Sequence, residues 1–129
     1  MQIHQSAEDY LETILMLSQR MGKVRSIDVV NELGFTKASV SIAMKKLRET
    51  GYIAVDGEGN LTLLEPGLEI AQRIYRSHQL LTHFFVQLGV DEQPAAEDAC
   101  KAEHILSEQT LEKIRESALR NDAAHPQAK

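Results

Sequence analysis

The chain contains no tryptophan, and its aromatic residues are limited to three tyrosines and three phenylalanines in 129 residues. Helix-forming residues are abundant by comparison. That balance leans helical and argues against an all-β sandwich. A single cysteine, Cys100, excludes an intramolecular disulfide framework and suits a reducing compartment. The apolar runs are only a few residues long, far below the ~20 that a membrane helix needs. Residues 1–6 show neither a basic region nor an apolar core, so no signal peptide is expected. Secreted, collagenous and membrane classes are thereby excluded, and a cytoplasmic protein is expected. With 129 residues the chain has room for one or two small domains. A large catalytic cleft is hard to build at this size, and oligomerisation is a common remedy.

The formal net charge is −5, which by itself argues against a nucleic-acid partner. Its distribution is more informative. Between residues 36 and 48 the chain carries Lys37, Lys45, Lys46 and Arg48 and no acid. A basic stripe on an acidic body is an electrostatic footprint for DNA or, alternatively, a solvated helix face.

Residues 6–21 place Ala7, Tyr10, Leu11, Ile14, Leu15 and Leu17 on a 3.6-residue period, with Ser6 suited to the N-cap and Gly22 to the exit. Ser26 suits the cap of a second helix with Ile27, Val30 and Leu33 inward. After Gly34, Thr36 suits the cap of a third helix with Val40, Ala43, Met44 and Leu47 inward, ending at Gly51. Two helices joined by so short a turn form a helix-turn-helix pattern. Residues 52–55 and 61–64 read as strands around a Gly57-Glu58-Gly59-Asn60 turn. A lone hairpin must pack on the helices, which predicts a winged helix-turn-helix over residues 1–65. Pro66 opens a long helix to about residue 87, Pro94 another to about residue 106, and Ser107 caps a last one. The predicted fold is mainly α. It has an N-terminal winged helix-turn-helix, a connector helix with a helical dimerisation domain over 66–120, and a flexible tail over 121–129. The second half has too little core for a monomer, so its apolar faces are expected to pair with a second copy.

Cys100, Glu103 and His104 fall at i, i+3 and i+4, which places all three side chains on one helical face. Thiolate, carboxylate and imidazole together make a set of donors for a divalent metal. His78 on the preceding helix reaches the same point if the two helices pack antiparallel. Asp9 and Glu12 are a further i, i+3 pair. Each has an ordinary alternative. Asp9 completes a capping box with Ser6, Glu12 is a solvated face residue, Cys100 is a small buried hydrophobe, and Glu103 and His104 are a surface pair. His78 and His83 are then packed or exposed histidines on a partly apolar helix. His4 and His125, near the chain ends, are set aside.

These motifs together resemble the diphtheria toxin repressor family of metal-dependent transcriptional regulators, over residues 6–118. In length the chain is similar to the manganese transport regulator branch. Residues 6–12 (Ser-Ala-Glu-Asp-Tyr-Leu-Glu) resemble the family's first helix, with Asp9 and Glu12 in the carboxylate-ligand places of the manganese branch. Residues 75–81 resemble its ligand-bearing connector helix, with His78 in the ligand place. Residues 99–104 resemble its Cys, Glu, His signature. The manganese branch usually has Glu where this chain has Cys100, as iron-sensing members do, while the iron branch usually lacks the Asp9/Glu12 pair. The resemblance therefore implies a hybrid site. Thr82 and Ala96 stand where iron-branch members place ancillary ligands. The family's third, SH3-like domain is expected to be absent.

The resemblance implies a homodimeric repressor of metal-homeostasis genes that binds a double-stranded DNA operator, with Mn(II) or Fe(II) as co-repressor. Zn(II) or Co(II) is expected to bind in vitro, following the Irving–Williams order. Asp9, Glu12, His78, Cys100, Glu103 and His104 are the expected metal ligands. On the third helix, Thr36, Lys37, Ala38, Ser39 and Ser41 are expected at the major groove and Lys45, Lys46 and Arg48 at phosphates. For Lys46 and Arg48, solubility is the alternative. The wing is left unassigned, because Asn60 suits the DNA backbone and Glu58 repels it. No membrane and no small organic substrate are expected. Two other readings are a winged-helix regulator that senses a small molecule without metal and an enzyme using Cys100 and His104. An enzyme is not expected, because neither an oxyanion-stabilising loop nor an HExxH, P-loop or dinucleotide motif is present.

Overall fold

The computed structural model describes residues 5–124; His4 and His125 lie outside them. Among the described residues the elements run α1 (Gln5–Met21), β1 (Val24–Arg25), α2 (Ser26–Leu33), α3 (Lys37–Glu49), β2 (Ile53–Val55), β3 (Asn60–Leu63), α4 (Glu65–Gln87), α5 (Glu92–Ala102) and α6 (Glu108–Ala124). The fold is mainly α, as the composition indicates. The chain separates into two compact units, residues 1–73 and 74–129, with the division inside α4.

In the first unit, α1 packs against α2, β1 and β3. Its apolar stripe of Tyr10, Leu11, Ile14, Leu15 and Leu17 is buried as the period predicts, but Glu12 and Thr13 are buried too. α1 already includes Gln5, which puts Ser6 inside the helix rather than at its cap. Gly22 takes a positive φ of 85° at the exit. α2 departs from the expected face: Val29 is fully buried while Ile27 is 43% exposed. The expected cap also moves by one residue. Arg25 is the N-cap, and its backbone N–H donates to the Asp28 carboxylate at 2.9 Å. α3 matches its expectation. The Ser39 N–H donates to Thr36 Oγ1 at 3.1 Å, and Val40, Met44 and Leu47 are buried.

The hairpin is part of a three-stranded antiparallel sheet of order β1-β3-β2. Val24 pairs with Leu61 and Ile53 with Leu63, so Val24, Leu61 and Ile53 face the core. Asp56 organises the wing turn. Its carboxylate accepts from Glu58 N–H at 2.8 Å, Asn60 N–H at 2.9 Å and Asn60 Nδ2 at 3.0 Å. These donors, the Asn60 N–H first, hold the Asp56 carboxyl below the usual carboxylate range.

The opening turns of α4 belong to this first unit. A Cβ on Gly67 would meet the Tyr52 carbonyl oxygen at 2.2 Å and Leu11 Cδ2 at 3.3 Å. Glycine in a helix costs about 1 kcal/mol against alanine, and the close approach of helix to backbone requires it here.

The second unit comprises the rest of α4 with α5 and α6. Leu81, Ala99 and Leu111 form its core, with Phe85, Ala102, Leu106 and Ile114 against them. Ser107 caps α6, its Oγ accepting from the Thr110 N–H at 3.1 Å. Two expectations are corrected. Residues 121–124, expected in the tail, are helical in α6, while 125–129 lie outside the described residues. And α5 ends at Ala102 rather than near residue 106. There the chain tightens, with Ile105 N–H donating to Ala102 O at 3.1 Å, and turns Leu106 into the core before α6 begins.

Candidate metal centre and nucleic-acid interface

Asp9 and Glu12 lie one turn apart on α1, with a carboxylate oxygen of one within 4.8 Å of one on the other. Glu12 is only 5% exposed, so it is not the solvated face residue that its type suggests. A buried carboxylate is costly unless it is paired, hydrogen-bonded or coordinated.

In the second unit the end of α5 delivers Glu103 and His104. The N–H of Glu103 still donates to Ala99 O at 3.0 Å, so Glu103 keeps helical phase with Cys100 and the preceding turn. His104 lies in the turn beyond, and the three signature residues do not share one regular helical face. The side chain of Glu103 is fully buried and that of His104 is 1% exposed. They are not a surface pair. Glu103 Oε2 lies 3.1 Å from His78 Nδ1, in a hydrogen bond whose donor depends on the tautomer. Glu103 Oε1 lies 3.4 Å from His104 Nε2 and makes no hydrogen bond among the described residues. So α4 and the end of α5 bring His78 to Glu103. Cys100 is exposed, not a buried hydrophobe. The hydroxyl of Thr82 donates to His78 O at 2.8 Å, which commits it to the helix backbone. His83 is exposed.

Two imidazoles around one buried carboxylate, and on α1 a carboxylate pair of which Glu12 is buried and Asp9 half-buried, are donors of the hard-to-borderline kind that bind Mn(II), Fe(II), Co(II) and Zn(II). A buried Glu103 oxygen without a hydrogen bond is what a cation would satisfy. The donor set therefore fits a divalent metal.

The other candidate surface lies on α3. Its buried stripe faces the sheet and leaves Lys37, Ala38, Ser39, Ser41, Lys45, Lys46 and Arg48 exposed. Thr36 is exposed, but its hydroxyl caps the helix and donates to Ser39 Oγ at 2.9 Å. A cleft of about 240 Å³ is lined by Ser26, Ser41, Met44, Lys45, Arg48 and Val55. Sequence reasoning missed Ser26 in this cleft and β1 beside it. A two-residue strand is too short to show alternation.

A winged helix-turn-helix with a basic third helix, followed by a helical unit in which two histidines flank a buried carboxylate, defines a metal-responsive DNA-binding regulator. Comparison with known proteins bears this out. The family model for the iron dependent repressor N-terminal DNA binding domain matches residues 2–61. That for the iron dependent repressor metal binding and dimerisation domain matches residues 64–126. An uncharacterised HTH-type transcriptional regulator of Methanocaldococcus jannaschii is 36% identical over 113 residues, covering 86% of this chain and 90% of its own length. The HTH-type transcriptional regulator MntR of Bacillus subtilis is 33% identical over 109 residues, covering 84% and 77%. The solved structure described as a manganese-dependent transcriptional repressor in complex with manganese superposes with a TM-score of 0.78 at 28% identity, over 87% of this chain and 52% of that one. The chain spans about half the length of several of the solved structures that it matches, among them the manganese regulator SloR. The chain belongs to the iron-dependent repressor family of metal-dependent, DNA-binding transcriptional regulators.

Proposed function

We propose that this protein is a cytoplasmic homodimeric repressor that binds double-stranded operator DNA in response to Mn(II) or Fe(II) and regulates metal-homeostasis genes. Asp9, Glu12, His78, Cys100, Glu103 and His104 are the proposed ligands. The observation that carries this reading is the fully buried Glu103 carboxylate between His78 and His104. It occurs in a chain that matches both a DNA-binding and a metal-binding family model. A bound divalent cation supplies positive charge that offsets the desolvation of Glu12 and Glu103. Glu103 holds His78 by hydrogen bond, fixing its ring orientation. Cys100, exposed and one turn before Glu103, adds a softer donor that bears on metal preference.

Ligands from α1 belong to the reading domain and those from α4 and α5 to the dimerisation domain. Operator binding is favoured to the extent that the DNA-competent arrangement holds the cation more tightly than other arrangements do. A coupling of about 1–3 kcal/mol corresponds to roughly 5–150-fold in DNA affinity. Two α3 helices then address half-sites about 34 Å apart or a multiple of it. Exposed Val86, Leu88, Ile105 and Leu119 in the second unit support pairing with a second copy. The test is anaerobic operator binding against Mn(II), Fe(II) and Zn(II) in parallel, with metal stoichiometry on the same sample and a chelator control. Operator binding that persists in chelator would instead favour a metal-independent regulator.

A further inference from the structure

The α1 carboxylates act as ligands only if α1 is held in place, and one ion pair stands where that hold is needed. Within the first unit, α4 comes close to Tyr52 and to Leu11 of α1 at Gly67, and Ala71, one turn further on, is fully buried. On the outer side of the same stretch, Arg73 donates from its guanidinium to Glu8 Oε2 at 3.1 Å. Glu8 is the neighbour of Asp9, and its side chain is only 14% exposed. Arg73 is also the last residue of α4 that belongs to this unit. His78 follows five residues later on the same continuous helix. The pair thus joins the helix turn that carries Asp9 to the helix that carries His78, at the point where the two units divide.

We propose that Arg73 is a positioning residue for the metal response. By anchoring Glu8 it holds the first turns of α1 so that Asp9 and Glu12 are presented in a fixed place. This rests on the assignment of Asp9, Glu12 and His78 as ligands. Arg73 is 47% exposed, so the effect is modest in size.

The molecule supplies its own control. Arg20 and Glu32 form a comparable exposed ion pair at 2.8 Å, joining the far end of α1 to α2. The experiment measures Mn(II) affinity of the full chain by the electron paramagnetic resonance signal of the unbound ion, and Co(II) binding by its d–d absorption, without DNA. Arg73→Gln is expected to weaken Mn(II) binding about two- to fivefold and to alter the Co(II) spectrum. Arg73→Lys should restore the affinity to within about twofold, and Arg20→Gln should leave it unchanged. Thermal midpoints of the metal-free Arg73→Gln and Arg20→Gln proteins should shift alike. The proposal is overturned if Arg73→Gln binds Mn(II) like the wild type, if Arg20→Gln weakens binding as much, or if Arg73→Lys is as weak as Arg73→Gln. If the wild type itself binds neither ion, the ligand assignment fails and this proposal with it. If the wild type binds and Arg73→Gln does not differ from it, only the role of Arg73 is lost.

Discussion

Glu103 and His78, 25 residues apart, meet at 3.1 Å between Oε2 and Nδ1, with the carboxylate wholly buried. A charge removed from water in this way destabilises the metal-free protein unless its partners fully offset the desolvation. The interaction therefore has opposite consequences with and without metal. Glu103→Gln keeps the shape and removes the charge. It should raise the metal-free thermal midpoint and weaken Mn(II) binding by at least about tenfold. Calorimetric scans with and without Mn(II) check both halves; a variant that is less stable without metal and equally stabilised by it would contradict this.

His104→Ala should abolish metal-dependent operator binding while leaving the dimer folded, because its ring is buried beside Glu103. Cys100, on the exposed side of α5, should matter less. Cys100→Ala should weaken Zn(II) and Co(II) binding more than Mn(II) binding, since a thiolate is the softer donor. Parallel titrations of the three ions on both variants decide it, and equal losses for all ions in Cys100→Ala would count against a thiolate ligand.

On α3, Lys45 and Arg48 line the cleft beside Ser26 and Ser41. Removing either should weaken operator and non-operator DNA alike. It should also reduce the slope of log affinity against log salt by about 1. Fluorescence anisotropy across a salt series measures this. A loss confined to the operator would assign base reading to that residue instead.

Gly67→Ala should destabilise the first unit by about 1–3 kcal/mol even though alanine is the better helix former, because a Cβ there would strike the Tyr52 carbonyl at 2.2 Å. Urea denaturation gives the value directly, and a neutral or stabilising outcome would mean that α4 does not press on Tyr52.

The wing should respond to acid. The Asp56 carboxyl is held below its ordinary value by the Asn60 and Glu58 donors. A depressed folded value stabilises above the unfolded titration range, and the contribution is lost as pH falls through the folded value. The amide resonances of Glu58 and Asn60 should therefore titrate together with Asp56, below the usual carboxylate range. An Asp56 that titrates within that usual range would contradict the turn geometry.

Helices α3 and α6 were legible because their caps fall where the local sequence places them, whereas the caps of α1 and α2 and the inward face of α2 were not. Thr36 and Ser107 cap α3 and α6 where their spacing predicts. Long-range effects were not legible. β1 is two residues long and exists only because Leu61 pairs with Val24. α5 stops at Ala102 because the chain must turn Leu106 into the core, which no local signal in Glu103-His104-Ile105 announces. Spacing placed candidate donors at positions 9, 12, 78, 103 and 104, and the family resemblance singled them out as a ligand set. The burial of Glu12 and Glu103, which distinguishes them from surface acids, depends on packing and emerges only in the fold. The same holds for the exposure of Cys100.

We propose that a divalent cation is held jointly by donors from α1 and from α4 and the end of α5. Anomalous diffraction from crystals of the Mn(II)-loaded protein at the manganese edge tests it most directly. The account predicts an anomalous peak coordinated by at least one of Asp9 and Glu12 together with Glu103 and a histidine. A peak bound by one group alone, or Mn(II) bound elsewhere on the molecule, would contradict it.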